Sequence, residues 1–209
     1  KRLKNLAHEN DALLIFDEVQ SGVGITGHFW AHQALGVKPD ILSFGKKSQV
    51  CGILAGHKLD EVDGHVFETP SRINSTWGGN IVDMVRFDRI LEIMEEEHLV
   101  QHAGTVGQHL QNRLHALAEQ FPAVTNVRGE GLMTAFTLPS TAYRDRVKEH
   151  TYEEGAIILG CGESSIRFRT PLTITEEEVD EGVACIRRAL ETVAAEHGTQ
   201  AGGERHSPQ

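Results

Sequence analysis

The sequence predicts an α/β fold. Three observations carry that expectation: two short apolar runs that stop abruptly at charged residues, a helix-length segment between them, and a second alternation of short strands with helices beyond Pro122. Residues 1–10 place Leu3 and Leu6 on one side and read as the end of an amphipathic helix. The run Ala12-Leu13-Leu14-Ile15-Phe16 follows and halts at Asp17-Glu18. A short run that is apolar on both faces suits a buried parallel strand with its C-terminal end opening on a site. The glycines of Ser21–Gly27 mark a loop, and a short helix is expected over about Phe29–Leu35. Pro39-Asp40 then leads into a second strand, Ile41-Leu42-Ser43-Phe44, which runs into Gly45-Lys46-Lys47. Strand, helix and strand within about 30 residues make a βαβ unit with a right-handed crossover.

Gly52–Gly56 offers a further short strand, and Thr69–Gly79 is turn-rich and mostly polar. Apolar residues at Ile81, Val82, Val85, Phe87, Ile90, Leu91 and Met94 have helical spacing, and after a break near His98 another helix continues through Leu117. Short strands are expected at Val124–Val127, Gly131–Leu138, Ala156–Leu159 and Ile166–Phe168, with helices at roughly 140–154 and 175–195. Thr175 with Glu178 forms a capping box for the last helix. The organisation expected is one domain segment over 1–98, a small α/β domain over 99–196, and a disordered tail over 197–209, which is rich in Gly, Gln, Ser and charge.

Composition narrows the function classes. The hydrophobic share is 39% and the formal net charge is −10, with no basic cluster. A surface that tracks nucleic-acid phosphates or an anionic membrane is not expected. No apolar run approaches the ~20 residues needed to span a bilayer, and no signal peptide is recognisable. Cys51, Cys161 and Cys185 make an odd count without a CxxC pair, which points to a reducing cytoplasm rather than a disulfide framework. Cys51 and Cys185 are expected to be small buried thiols. The twelve histidines show no metal-ligand spacing.

Chemistry concentrates at the ends of the first two strands. Asp17 stands where ligands of open α/β sheets bind, although a strand-end carboxylate also caps helices or simply meets water. Asp17 and Glu18 cannot both face the same way while the chain is extended. Lys46 ends the second strand beside a glycine, where desolvation can free its amine for covalent chemistry. Lys47 is a rival, and the two side chains point apart. Ser165–Leu172 contributes Arg167, with Arg169 two positions on as its alternative.

Taken together, Phe16-Asp17-Glu18-Val19-Gln20-Ser21-Gly22, Thr26-Gly27, Pro39-Asp40-Ile41 and Gly45-Lys46 resemble the class III (ornithine/GABA-type) aminotransferases. The intervals from Asp17 and from Asp40 to the lysine match ornithine-type members at Lys46, not Lys47. The resemblance implies a fold-type I transferase dependent on pyridoxal 5'-phosphate: part of the large α/β/α domain, then the small C-terminal domain. It implies Lys46 as the Schiff-base lysine and proton carrier, and Asp17 as the partner of the ring nitrogen. Gln20 falls near the ring hydroxyl. Ser75 and Thr76, in Asn74–Gly79, fall near the phosphate of a neighbouring subunit, in a homodimer. Arg167 would clamp a substrate carboxylate.

The phrases Phe44–Gly52 and Pro70–Asn80 resemble the lysine-specific branch of this family. The reaction then implied moves the terminal amine of L-lysine to 2-oxoglutarate, giving the 6-semialdehyde and glutamate. Ornithine or GABA specificity is the alternative within the family. A non-catalytic relative is a second alternative, and a nucleotide-binding module a third, though no G-x-G-x-x-G follows the first strand. Because the chain lacks an initial Met and opens inside a helix, it is expected to be the C-terminal half of such an enzyme, inactive and poorly soluble alone.

Overall fold

Two adjacent parallel strands, and the loop and helix joining them, organise the first part of the molecule. The computed structural model describes residues 1–73, 76 and 78–203, with side chains described as far as residue 196. The chain divides into two units, Lys1–Gln101 and His102–Gln209.

In the first unit, helix α1 (Arg2–Glu9) precedes strand β1 (Ile15–Asp17), helix α2 (Ala31–Leu35), strands β2 (Ile41–Phe44) and β3 (Gly52–Ala55), and helix α3 (Ile81–Glu96). The sheet order is β1-β2-β3, with β1 and β2 parallel and β3 antiparallel to β2. β1 is shorter than the apolar run that announces it, for a definite reason. The Ala12 amide donates to the Ala7 carbonyl at 2.8 Å, and the Leu14 amide donates to the Asp40 carboxylate at 2.7 Å. Those donors are committed to a helix end and a side chain, so they are lost to the strand ladder.

Burial also departs from the expectation. Ile15 is 60% exposed and Asp17 is exposed. Ile15 and Asp17 share a face with Ile41, Ser43 and Ile53 through the strand register, and the exposure of Ile15 and Ile53 leaves that face partly uncovered. On the opposite face Leu42 is buried. Phe44 there meets Trp30 at 5.8 Å and Phe87 of α3 at 6.2 Å between ring centroids. The glycine-bearing loop packs inward: Val23 and Ile25 are fully buried. Cys51 is exposed rather than buried, since it sits at the turn into the edge strand β3, whereas Cys185 is buried as expected. All three thiols are free.

Helix α4 (Leu99–Gln120) opens at the division between the units and belongs mostly to the second. His98, with φ 52°, makes the break before it. Strands β4 (Thr125–Glu130) and β5 (Met133–Thr137), helix α5 (Thr141–Glu153), strands β6 (Leu159–Cys161) and β7 (Ser165–Arg167), and helix α6 (Glu176–Gly203) complete the chain. The four strands form an antiparallel sheet in the order β4-β5-β7-β6. Ala103, Val106, Leu110, Leu114 and Leu117 make the buried stripe of α4, and Val179, Val183, Ile186, Leu190 and Val193 that of α6. The sheet contributes Phe136 and Ile166 to this core. Gly107 admits a close approach that no other residue could: a Cβ built there would lie 2.1 Å from the Gly131 carbonyl carbon.

The capping box of α6 is formed as its sequence indicates. The Glu178 amide donates to Thr175 Oγ1 at 3.2 Å, and the Thr175 amide to the Glu178 carboxylate at 2.9 Å. The helix continues through Gly203, into the stretch expected to be a tail, while 204–209 lie outside the described residues.

Candidate active site

The parallel register sets Asp17 directly opposite Ser43. Both therefore stand at the carboxyl ends of adjacent strands, and the chain after Ser43 delivers Lys46 just beyond the same mouth. Asp17 Oδ1 accepts from the Val19 amide at 3.0 Å and from Ser43 Oγ at 3.1 Å. Its other oxygen has no hydrogen-bond partner among the described residues. A carboxylate anchored by one oxygen and open at the other can hold a cationic N–H.

Strand alternation sends Glu18 the other way. It is 2% exposed and accepts from the Ala31 amide at 2.6 Å, the His32 amide at 2.8 Å and His32 Nδ1 at 3.0 Å. This buried carboxylate ties the end of β1 to the first turn of α2. The start of the intervening loop is fastened further: the Glu18 amide donates to the Ser43 carbonyl and the Gly22 amide to the Glu18 carbonyl, each at 2.9 Å.

Lys46 and Lys47 have different surroundings in the turn that follows β2. Lys46 adopts φ 57° at the start of the 3-10 turn Lys46–Ser48 and is exposed. Its amine makes no hydrogen bond or ion pair among the described residues, and an unengaged amine can attack a carbonyl carbon. Lys47 is half-buried and donates to the Gln20 carbonyl at 2.6 Å. Asp17, Gln20 and the lysine pair are thus brought together at one strand mouth.

The remaining predicted residues lie on other segments of the chain. Thr76 is exposed in the first unit, while Ser75, with Asn74 and Trp77, lies outside the described residues. Arg167 belongs to the second unit, half-buried on β7 between Ala135 of β5 and Leu159 of β6. It shares a sheet face with Arg128, which donates to Thr137 Oγ1 and Ser165 Oγ, both at 3.1 Å. Arg169, beyond the strand end, is exposed.

Two acidic residues that matter here are not singled out by sequence reasoning. Glu18 is one, although the alternation that exposes Asp17 already implies an inward Glu18. The other is Asp40, 5% exposed, which accepts from the Leu14 amide and from His8 Nε2 at 2.8 Å. Burial works to raise its pKa, but the bonds from Leu14 and His8, with the Lys4 charge, outweigh it and hold the carboxyl below its ordinary value. Asp40 thereby staples α1 to the start of β2.

A cleft of about 740 Å³ lies beside β3, lined by Trp30, Asp40, Leu42, Leu54, His57 and Phe67 among others. Neither Asp17 nor Lys46 lines it. Among the described residues no group of His, Cys, Asp and Glu is placed to hold a metal, and no helix is long and apolar enough to cross a membrane.

A model of the aminotransferase class-III family matches residues 1–190. The chain belongs to the class-III aminotransferases. The L-lysine-epsilon aminotransferase of Mycobacterium tuberculosis is 52% identical over 192 residues, which are 91% of this chain and 43% of that relative. The L-lysine-epsilon aminotransferase of Streptomyces clavuligerus is 47% identical over 194 residues, covering 92% of this chain and 42% of its own length. This chain therefore spans less than half of the class-III relatives it matches. A solved structure of lysine aminotransferase from M. tuberculosis in the internal aldimine form superposes with a TM-score of 0.88, at 52% identity, over 91% of this chain and 44% of that one. The α/β fold is that of the fold-type I transaminases. A 4-aminobutyrate aminotransferase from Dictyostelium discoideum and an acetylornithine aminotransferase from Synechocystis stand further off, at 34% and 33% identity.

Proposed function

We propose that this chain carries the lysine-bearing wall and the small domain of a pyridoxal-phosphate-dependent aminotransferase, which transfers the terminal amine of L-lysine to 2-oxoglutarate. The products are the 6-semialdehyde and glutamate. The observation that carries the proposal is the strand mouth: Asp17 opposite Ser43, with the unengaged amine of Lys46 just beyond.

The donor set fits the cofactor. An anchored carboxylate with one open oxygen suits a protonated ring nitrogen, and an exposed amine suits covalent attachment of an aldehyde. When bound, pyridoxal phosphate supplies a ring that draws electrons from the substrate carbon. Asp17 keeps the nitrogen protonated, and Gln20, on its tethered loop, orients the ring hydroxyl. Lys46 would take the proton from the substrate carbon as a general base and deliver it to the cofactor carbon as a general acid. Arg167 receives a substrate carboxylate through its planar fork. Ser75 and Thr76 serve the phosphate across the interface of a homodimer. The run of exposed apolar residues Ile81, Val82, Met84 and Val85 on α3 supports an assembly that covers it. Free cysteines are in keeping with work in the cytoplasm.

Preference for lysine rests on the gap between about half identity to the lysine enzymes and about a third to the 4-aminobutyrate and acetylornithine enzymes. The test is a donor panel on the full-length gene product, with 2-oxoglutarate as acceptor and glutamate as readout. Lysine should give the highest kcat/KM. A higher value for ornithine or 4-aminobutyrate would overturn the lysine assignment, and no turnover with any donor would overturn the activity.

A further inference from the structure

Lys47 has no place in the chemistry outlined above, yet it occupies a defined position. Its side chain is half-buried while that of Lys46 is exposed, and its ammonium reaches across to the Gln20 carbonyl at 2.6 Å. The two ends of that contact lie on different segments: Lys47 in the 3-10 turn after β2, Gln20 in the loop after β1. The pairing of β1 with β2 ends at Asp17 and Ser43, and one further amide bond, from Glu18 to the Ser43 carbonyl, continues it. Past that point Lys47 is a link between the segment bearing Gln20 and the segment bearing Lys46.

We propose that Lys47 is a positioning residue, a strut that fixes the Gln20 loop against the Lys46 turn and so sets the spacing of the cofactor-binding groups. This rests on the reading of Lys46, Asp17 and Gln20 as cofactor ligands. The chemistry of the contact suits the task. An ammonium donates to a carbonyl in a charge-assisted bond, stronger than a neutral pair, and the four-carbon stem lets it reach from one segment to the other. The strut also accounts for adjacent lysines with different fates. Lys46, in the left-handed region at φ 57°, turns outward, and Lys47 is retained by the loop. The strut grips the backbone carbonyl of Gln20, so its acceptor survives a change of the Gln20 side chain.

The experiment uses the full-length product and measures the dissociation constant of pyridoxal phosphate by its absorbance for wild type, Lys47→Met, Lys47→Arg, Gln20→Ala and the Gln20→Ala/Lys47→Met double variant. Borohydride reduction followed by peptide mapping locates the attached cofactor in each. Lys47→Met should bind cofactor about tenfold more weakly, the scale of one charge-assisted bond, while the label stays on Lys46. Lys47→Arg should recover most of the loss, because it restores a cationic donor. The double variant should be no worse than the weaker single variant, since both changes remove one function. Unchanged affinity in Lys47→Met, no recovery with arginine, or fully additive losses would each overturn the strut. Absence of label on Lys46 in the wild type would instead overturn the reading of the site beneath it. Should Lys47→Met fail to fold, Lys47→Leu, which also lacks a donor, takes its place under the same criteria.

Discussion

Glu18→Gln removes one oxygen from a carboxylate that accepts three hydrogen bonds in a buried setting. Glu18 Oε2 takes the Ala31 amide at 2.6 Å, while Oε1 takes the His32 amide at 2.8 Å and His32 Nδ1 at 3.0 Å. The side chain is 3% exposed and that of His32 17%, so water is poorly placed to substitute. A carboxamide has a single acceptor oxygen. If that oxygen keeps the two His32 donors, its NH2 faces the Ala31 amide, donor against donor. A hydrogen bond to a charged group contributes about 1.5–3 kcal/mol, and a buried donor left unmet costs about 1–3 kcal/mol. A loss of about 3 kcal/mol raises the local opening constant on the order of a hundredfold. Hydrogen–deuterium exchange on peptides covering residues 18–35 of the full-length protein reads this directly, without assuming two-state unfolding. Faster exchange there, with α5 and α6 unaffected, is expected. Unchanged protection would refute the claim that Glu18 fastens the loop bearing Gln20.

Other outcomes follow from the same structure. Gly107→Ala places a methyl 2.1 Å from the Gly131 carbonyl carbon, so it should destabilise the second unit by about 1–3 kcal/mol despite alanine's better helix propensity; a lower urea midpoint checks this. Bonding to Glu153 raises the His150 pKa, burial opposes it, and Glu196 adds to the rise; bonding to Arg146 chiefly lowers that of Glu196. The histidine contribution is therefore present below the ordinary histidine value and lost as pH rises through the raised one, while the Glu196 contribution is lost as pH falls through its lowered value. The difference in urea midpoint between wild type and His150→Gln should accordingly be largest in mildly acid solution and shrink toward alkaline pH. Arg167→Met should lower kcat/KM on the order of 10- to 100-fold through loss of the carboxylate clamp, with Arg169→Met close to wild type in the same assay. The 209-residue polypeptide expressed alone should show no transamination and should self-associate on dilution-dependent light scattering, because Ile15, Ile53 and the α3 run stay exposed.

Local signals in the sequence succeed where structure follows from neighbouring residues. β2 occupies the expected Ile41–Phe44, and Thr175 with Glu178 closes the α6 cap, because a short apolar run and a capping pair are each decided within a few positions. Where a distant partner intervenes, the signal fails. The apolarity of Ala12, Leu13 and Leu14 would extend β1 upstream, but Ala12 and Leu14 give their amides to Ala7 and Asp40. The glycines around Val23 and Ile25 indicate a loop correctly, yet both side chains are fully buried, a fact that depends on what packs over them. At the site, alternation alone separates the roles of Asp17 and Glu18, and family spacing selects Lys46. The hold of Lys47 on Gln20 is a contact between residues far apart in the chain, and no local pattern announces it.

In the proposed function Lys46, not Lys47, is the residue to which the cofactor attaches. Borohydride reduction of the full-length product with pyridoxal phosphate, followed by proteolysis and mass spectrometry, tests it most directly. A pyridoxyl group on Lys46 alone is predicted, lost in Lys46→Ala and kept in Lys47→Met. A label on Lys47, or one that survives Lys46→Ala, would contradict it.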